Sequence, residues 1–349
     1  MKVLVTGGCG FIGSNFVRYA LEARAQLEIT VLDLLTYAGN LGNLAGLLDH
    51  PRFRFIKGDI ADRETVATAA HGMDAIVNFA AESHVDRSIL DAAPFIRTNI
   101  VGTQVLLEAA LELGIKRFVQ MSTDEVYGTL GPSGHFTETT PLTPNSPYSA
   151  SKASADLLVR AFVHTHGLPA IIVRSSNAYG PYQFPEKLIP LMVVNALAGE
   201  PLPVYGDGMH VRDWVHVRDL CDAVLQVLER APSGVIYNVG GGHELPNLAV
   251  VRAIVRLTGA SESLIRYVTD RAGHDRRYAM DHSTITNALG WRPTRDFEAR
   301  LGDTVRWYVE HQDWVESVRS GAYRHYYELQ YGQRLAAASV VPQAPACVE

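Results

Sequence analysis

The sequence predicts an α/β fold, a doubly wound parallel sheet with a smaller C-terminal lobe. Three observations predict it. Short apolar strands alternate with apolar-periodic helices up to about Arg174, the pattern of a parallel sheet covered on both faces. The first strand runs into a glycine-rich turn, Gly7-Gly8-Cys9-Gly10-Phe11-Ile12-Gly13. Two adjacent carboxylates, Asp124 and Glu125, follow the apolar run Arg117-Phe118-Val119-Gln120-Met121. In such a sheet ligands bind at the carboxyl ends of the strands.

Residues 2–6 form the first strand, and a helix follows the glycines through about Ala23. Gly8, Gly10 and Gly13 satisfy G-x-G-x-x-G, and Gly7, Gly10 and Gly13 satisfy G-x-x-G-x-x-G. Either set lets the backbone turn tightly and approach a pyrophosphate at a helix N-terminus. The second strand, residues 27–32, ends in Asp33, twenty residues after Gly13. That carboxylate is placed to accept from a ribose hydroxyl. Leu34 stands where an NADP site tends to offer Arg, which favours NAD. Residues 53–57 are the third strand, ending at Gly58-Asp59-Ile60, and residues 75–79 the fourth, ending at Ala80-Ala81-Glu82-Ser83-His84. Small alanines there let a cofactor lie close to the backbone. Residues 95–113 have helical spacing. Pro147 marks the start of the helix carrying Tyr148 and Lys152, where proline is tolerated. Residues 169–174 are the sixth strand, which completes a Rossmann-type sheet.

After Arg174 the chain turns to loop formers and aromatics, 175–185. Residues 1–174 are expected to form the dinucleotide domain, with returning segments at about 213–239. Within these, 214–228 is a return to the main sheet plus one helix, and 235–239 a further strand. Residues 175–335 form mainly a discontinuous second lobe, with helices at 248–258 and 301–316. Residues 336–349 form a flexible tail.

Composition narrows the function classes. Hydrophobic residues are 47% of the 349, enough for a sizeable core, and the formal net charge is −6. An acidic balance disfavours non-specific nucleic-acid binding. No apolar run reaches the length of a membrane span, and the immediate first strand leaves no room for a signal peptide. Cys9, Cys221 and Cys347 are scattered, which suits a reducing cytoplasm and offers neither a disulfide framework nor a metal site.

Several side chains can do chemistry. Tyr148 and Lys152 are four apart and share a helix face. A lysine ammonium and a nicotinamide cation both favour a phenolate. Asp124 and Glu125 can divide into acid and base, because neighbouring environments split carboxylate pKa values. Thr123 can bond the Tyr148 oxygen or its own backbone. Residues 271–277 concentrate Arg271, Arg276 and Arg277, and guanidinium forks match diphosphate oxygens; Arg212 and Lys187 can join them. His164 and His166 read as surface residues, and Tyr182, Phe184, Trp214 and Trp291 as core.

Six motifs carry a resemblance that runs from Met1 to about Tyr331. They are Thr6-Gly7-Gly8-x-Gly10-Phe11-Ile12-Gly13; Leu35-Thr36-Tyr37-Ala38-Gly39-Asn40-Leu41; Ala80-Ala81-Glu82-Ser83-His84-Val85-Asp86-Arg87-Ser88; Ser122-Thr123-Asp124-Glu125-Val126-Tyr127-Gly128; Tyr182-x-Phe184-Pro185-Glu186-Lys187-Leu188-Ile189-Pro190; and Gly273-His274-Asp275-Arg276-Arg277-Tyr278. With them the chain closely resembles the extended short-chain dehydrogenase/reductases and, within these, the dTDP-glucose 4,6-dehydratases. The resemblance implies an internal redox cycle on bound NAD. Tyr148 takes the proton of the glucosyl 4-hydroxyl as hydride leaves C4. Glu125 removes the C5 proton, Asp124 protonates the departing 6-hydroxyl, hydride returns to C6 and a proton returns to C5.

The resemblance also implies the contacts. Gly7, Gly10, Phe11, Ile12, Gly13, Asp33, Leu34, Thr36, Asp59, Ile60, Phe79, Ala80, Ala81, Ser83, Thr98 and Ala178 touch NAD, with Tyr148 and Lys152. Ser83, Thr123, Glu125, Asn177, Lys187, Leu188, Pro203, Tyr205, Arg212, Asn247, Arg271, His274 and Tyr278 line the dTDP-glucose site. It further implies a homodimer, paired through residues 95–113 and 148–164. Leu34, Ala178 and Ala272 depart from the residues frequent in that family and leave nucleobase preference open. Two other readings compete. A sugar-nucleotide 4-epimerase or decarboxylase on the same scaffold is opposed by the Asp124-Glu125 pair. A non-catalytic nucleotide-sugar-binding protein is opposed by intact glycines, Tyr148 and Lys152.

Overall fold

The computed structural model describes residues 1–294, 296–319 and 322–342. In chain order the strands are β1 (Lys2–Thr6), β2 (Glu28–Asp33), β3 (Phe53–Lys57), β4 (Ala75–Asn78), β5 (Arg117–Thr123), β6 (Ala170–Ser175), β7 (Asn177–Tyr179), β8 (Leu202–Tyr205), β9 (Val211–His216), β10 (Ile236–Val239), β11 (Glu244–Pro246) and β12 (Ile265–Val268). The central sheet has the order β10-β6-β5-β4-β1-β2-β3, and every pairing in it is parallel. The order reverses between β1 and β4, so the crevice for a ligand opens there.

Side-chain alternation explains why both faces are covered. Val3 and Val5 of β1, Ala75 and Val77 of β4, and Val119 and Met121 of β5 point to one face. Helices Phe11–Ala23 and Val217–Arg230 close that face. Leu4, Ile76 and Phe118 point to the other, beneath helices Arg63–Ala70, Thr103–Glu112 and Pro147–His166. A period of two with both phases apolar is what a doubly covered parallel strand requires. The second lobe has its own core, with Ile189, Val193, Trp214, Val251, Leu301 and Tyr308 at its heart.

Residues 93–112 are continuously helical, as the spacing over 95–113 predicts, with a π-helical stretch, Ile96–Gly102, leading into Thr103–Glu112; there Gly102 lies so close to Ile60 that a Cβ would stand 2.5 Å from it. Three expectations are corrected. The strand expected to return to the main sheet, β9, instead pairs with β7 and β11. The edge beyond β6 is already occupied by β10, with Ile172 opposite Ile236, and Trp214 belongs to the second core. The helix expected over 301–316 breaks at His311, between Phe297–Glu310 and Gln312–Val318. There the imidazole turns back, 2.8 Å from the Trp307 carbonyl, and stacks on the Trp307 ring. The tail is held further than expected. Helix Ala322–Ala336 includes its start, and Ser339 exchanges backbone bonds of 2.8 and 3.1 Å with Tyr267 on the open edge of β12. Residues 343–349 of that expected tail lie outside the described residues. Among the described residues no helix is long and apolar enough to cross a membrane.

Candidate active site

The carboxyl ends of the sheet and the second lobe enclose a cavity of about 380 Å³. Its first part is built of backbone. Gly7 is left-handed, with φ 67°, and a Cβ on it would stand 2.5 Å from the Ala80 nitrogen. A Cβ on Gly13 would overlap the Gly7 carbonyl, so helix and turn pack only because both are glycines. Gly8 instead faces Val31 beneath the turn and does not line the cavity, which selects Gly7, Gly10 and Gly13 as the working set. Asp33 is buried and accepts from the amides of Cys9 (2.9 Å) and Leu35 (2.8 Å). Burial raises its pKa against those two bonds. The carboxylate still has lone pairs for hydroxyl donors. Leu34, Thr36, Asp59, Ile60, Phe79, Ala80, Ala81 and Thr98 line the same part. These residues fit a dinucleotide: a turn that only glycine permits, a helix N-terminus above it and an acid at the second strand.

Tyr148, Lys152 and the two carboxylates meet where β5 ends. Ser146 starts the helix of Tyr148 and Lys152 with a reciprocal cap to Ser149, and Pro147 follows at its first turn. Lys152 Nζ donates to the Met121 carbonyl at 2.7 Å, which ties the helix to β5. Burial lowers the Lys152 pKa to about 8, against the pull of Asp156. Burial, then the charge of Glu125, raises that of Tyr148, opposed by the Thr123 hydroxyl. The Thr123 hydroxyl accepts the Glu125 amide at 3.2 Å and lies 3.2 Å from Asp124 Oδ1.

The carboxylate pair splits. Asp124 is 1% exposed, and its Oδ2 has no hydrogen-bond partner. Burial, then Glu125 and Asp213, pushes its pKa well above the usual range. Burial also raises Glu125, but Arg271, Lys187 and Arg212 oppose it. The two carboxyls therefore sit in unlike surroundings, Asp124 desolvated beside two acids and Glu125 among three cations, which suits an acid beside a base.

The second lobe supplies the remaining walls. Lys187 Nζ donates to the Ser83 carbonyl at 2.6 Å. Arg212 is buried, donates to the Asp275 carbonyl at 2.8 Å and lies 4.3 Å from the Tyr278 ring. His274 stacks on His210 with centroids 3.8 Å apart, and both rings bond Asp270, at 2.6 and 3.3 Å. Asn177, Ala178, Leu188, Pro203, Tyr205, Asn247 and Arg271 line the cavity too. Arg271 Nε and the side-chain oxygens of Asn177 and Asn247 are buried without partners, as groups awaiting a polar ligand would be.

Every predicted site residue borders this one cavity, but two readings change. Of the three clustered arginines only Arg271 reaches it. Arg276 pairs with Asp207 (2.8 Å) and Arg277 with Glu244 (2.6 Å). Phe184, read as core, is half-buried and lines the cavity, whereas Trp214 is in the second core as expected and only borders it. His164 and His166 are exposed as expected. Sequence reasoning missed Asn99, whose amide clasps Glu82 by bonds of 3.0 Å each way and holds Ser151 at 2.8 Å. It missed Glu186 and Arg87, which pair at 3.2 Å beside Tyr37. It also missed Tyr331. No spacing signals these, since their partners lie far away in sequence.

A glycine cradle, an acid after the second strand and a Tyr/Lys helix beneath a second lobe define an extended short-chain dehydrogenase/reductase. The chain belongs to the GDP-mannose 4,6 dehydratase family, whose model matches residues 4–304. It is 54% identical to a dTDP-glucose 4,6-dehydratase of Xanthomonas campestris pv. campestris, over 92% of this chain and 97% of that one. It is similar to the structure of DesIV, the dTDP-glucose 4,6-dehydratase of Streptomyces venezuelae with NAD and TYD bound. That match has a TM-score of 0.89 and 52% identity, over 91% of this chain and 100% of that one. A UDP-glucose 4-epimerase of Thermotoga maritima matches with a TM-score of 0.83 and 30% identity, over 89% and 100%.

Proposed function

We propose that this chain is an NAD-dependent dTDP-glucose 4,6-dehydratase, forming dTDP-4-keto-6-deoxyglucose by loss of water with no net redox change. The observation that carries the reading is the unlike pair at the end of β5, a buried Asp124 whose Oδ2 has no partner beside a cation-flanked Glu125. NAD, when bound, takes a hydride from C4 of the sugar and returns it at C6. Tyr148 accepts the 4-hydroxyl proton, and Lys152 supplies positive charge beside it on the same helix face. Glu125 removes the C5 proton, which the new ketone acidifies, and a proton returns to C5 once the hydride has reached C6. Asp124 protonates the departing 6-hydroxyl from the position its raised pKa suits. Arg271 and Arg212 hold the diphosphate.

An epimerase needs Tyr148 and Lys152 but no acid and base for elimination, so the carboxylate pair favours dehydration. The reading includes a cytoplasmic homodimer. Exposed Ile89, Leu90, Ile96, Val101, Leu111 and Leu157 support pairing through helices near the site, and the buried free thiols Cys9 and Cys221 support a reducing compartment. Incubating the protein with dTDP-glucose and assaying a 4-keto-6-deoxy product tests the activity. A 4-epimer alone, or unchanged substrate, overturns it.

A further inference from the structure

The family match ends at residue 304, yet helix Ala322–Ala336 closes part of the cavity. Its face toward the body carries Tyr323, Tyr326, Tyr327, Gln330, Tyr331 and Arg334, at the three- and four-residue spacing of one helix side. The Tyr326 hydroxyl and His84 Nδ1 are 3.2 Å apart. The Tyr327 hydroxyl accepts from Asn195 at 3.1 Å. The last turns converge on one atom. Gln330 Nε2 and Arg334 Nη1 donate to the Tyr205 hydroxyl at 2.8 and 2.6 Å. A phenol oxygen has two lone pairs and one proton. Both lone pairs are thus taken from the C-terminal helix, and the proton is left facing Asp86 Oδ2, 3.5 Å away.

Tyr205 is therefore held from two sides, and its ring cannot swing without breaking a charge-assisted bond. Around it lie the aromatic groups of the cavity. Tyr331 is 6.2 Å and His274 6.0 Å from its centroid, and the unpartnered Arg271 Nε lies in the same wall. Aromatic faces beside a guanidinium suit a planar base joined to a diphosphate.

We propose that the C-terminal helix is a recognition element for the nucleotide part of the substrate, in which Gln330 and Arg334 act as positioning residues for Tyr205. This rests on the sugar-nucleotide reading above. The test is titration calorimetry of thymidine diphosphate against the NAD-loaded protein, with steady-state kinetics on dTDP-glucose. Arg334→Met keeps the stem and removes the donor. It should raise the thymidine diphosphate Kd and the substrate KM together by about tenfold, the loss expected for one hydrogen bond to a charged group, with kcat moved less than twofold. Gln330→Leu should give a smaller change of the same kind. Adding Arg334→Met to Tyr205→Phe should cost little more than Tyr205→Phe alone, since the shared acceptor is already gone. Parental affinity in Arg334→Met, or full additivity in the double variant, overturns the proposal. If Arg334→Met fails to fold, Tyr205→Phe decides, and parental affinity there overturns it equally. A parent protein that does not bind thymidine diphosphate sinks the functional reading and this inference with it. A parent that binds, with variants that bind as well, sinks the inference alone.

Discussion

The two parts of the cavity are made of different materials. The part at β1 and β2 uses backbone amides, glycines and alanines, with a single acid, and most of its residues lie within the first third of the chain. The part under the second lobe uses buried charge, with Asp124, Glu125, Lys187, Arg212, Arg271 and His274 drawn from distant segments. Close approach governs the first, so the side chains that matter are the missing ones. Electrostatics governs the second, so what matters is which charges end up side by side. A cradle shaped by absence fails by clash. A site shaped by charge fails by changed protonation while the fold stands.

The largest effect is expected in the charged part. Tyr148→Phe should abolish the first oxidation, with no bound NADH on adding substrate. Glu125→Gln should permit it, so absorbance of bound NADH should accumulate while C5 deuterium exchange stays slow. Each should lower turnover by about 10²–10⁴-fold, with little change in melting temperature. Product at the parental rate from Glu125→Gln would break the assignment of acid and base.

The cradle should fail the other way. A Cβ at position 13 meets the Gly7 carbonyl, so Gly13→Ala should cost about 1–3 kcal/mol of stability. It should also lower the NAD that purifies with the protein, measured after denaturation. Unchanged stability and NAD content would show that the turn can yield.

Lys152 sharpens the comparison, because its charge is useful and destabilising at once. Its pKa is about 8 folded, against 10.5 for the free group. Below about pH 8 both states carry the proton and the folding penalty is complete. Between 8 and 10.5 the unfolded chain binds more protons, so stability attributable to this group rises with pH. Lys152→Met should therefore gain about 1–2 kcal/mol at pH 7 after losing the bond to Met121, and less at pH 9.5, while activity falls. Calorimetric melting at both values checks it; a gain that grows with pH would contradict the sign.

The smallest effect is expected outside the cavity. Arg276 is exposed and paired with Asp207, so Arg276→Ala should cost about 0.2–1 kcal/mol and leave the substrate KM within twofold. A tenfold rise would return Arg276 to the diphosphate site.

The sequence by itself determined the sheet, because alternating apolar positions and strand-ending glycines, alanines and acids are local signals. Gly7, Gly10, Gly13, Asp33, Tyr148 and Lys152 were legible for the same reason: their chemistry depends on fixed spacing along one turn or one helix. Only the tertiary structure decided between Gly8 and Gly7, since that turns on whether Val31 or the cavity lies beneath the glycine. It decided that Arg271 enters the site while Arg276 and Arg277 turn to Asp207 and Glu244. It gave Asp124 and Glu125 unlike environments, because desolvation and the cations Arg271, Lys187 and Arg212 act through space. It brought Gln330 and Arg334 onto Tyr205, more than a hundred residues away. Local geometry follows from covalent spacing and can be read along the chain. Burial and the meeting of charges depend on which distant surfaces the packing presses together.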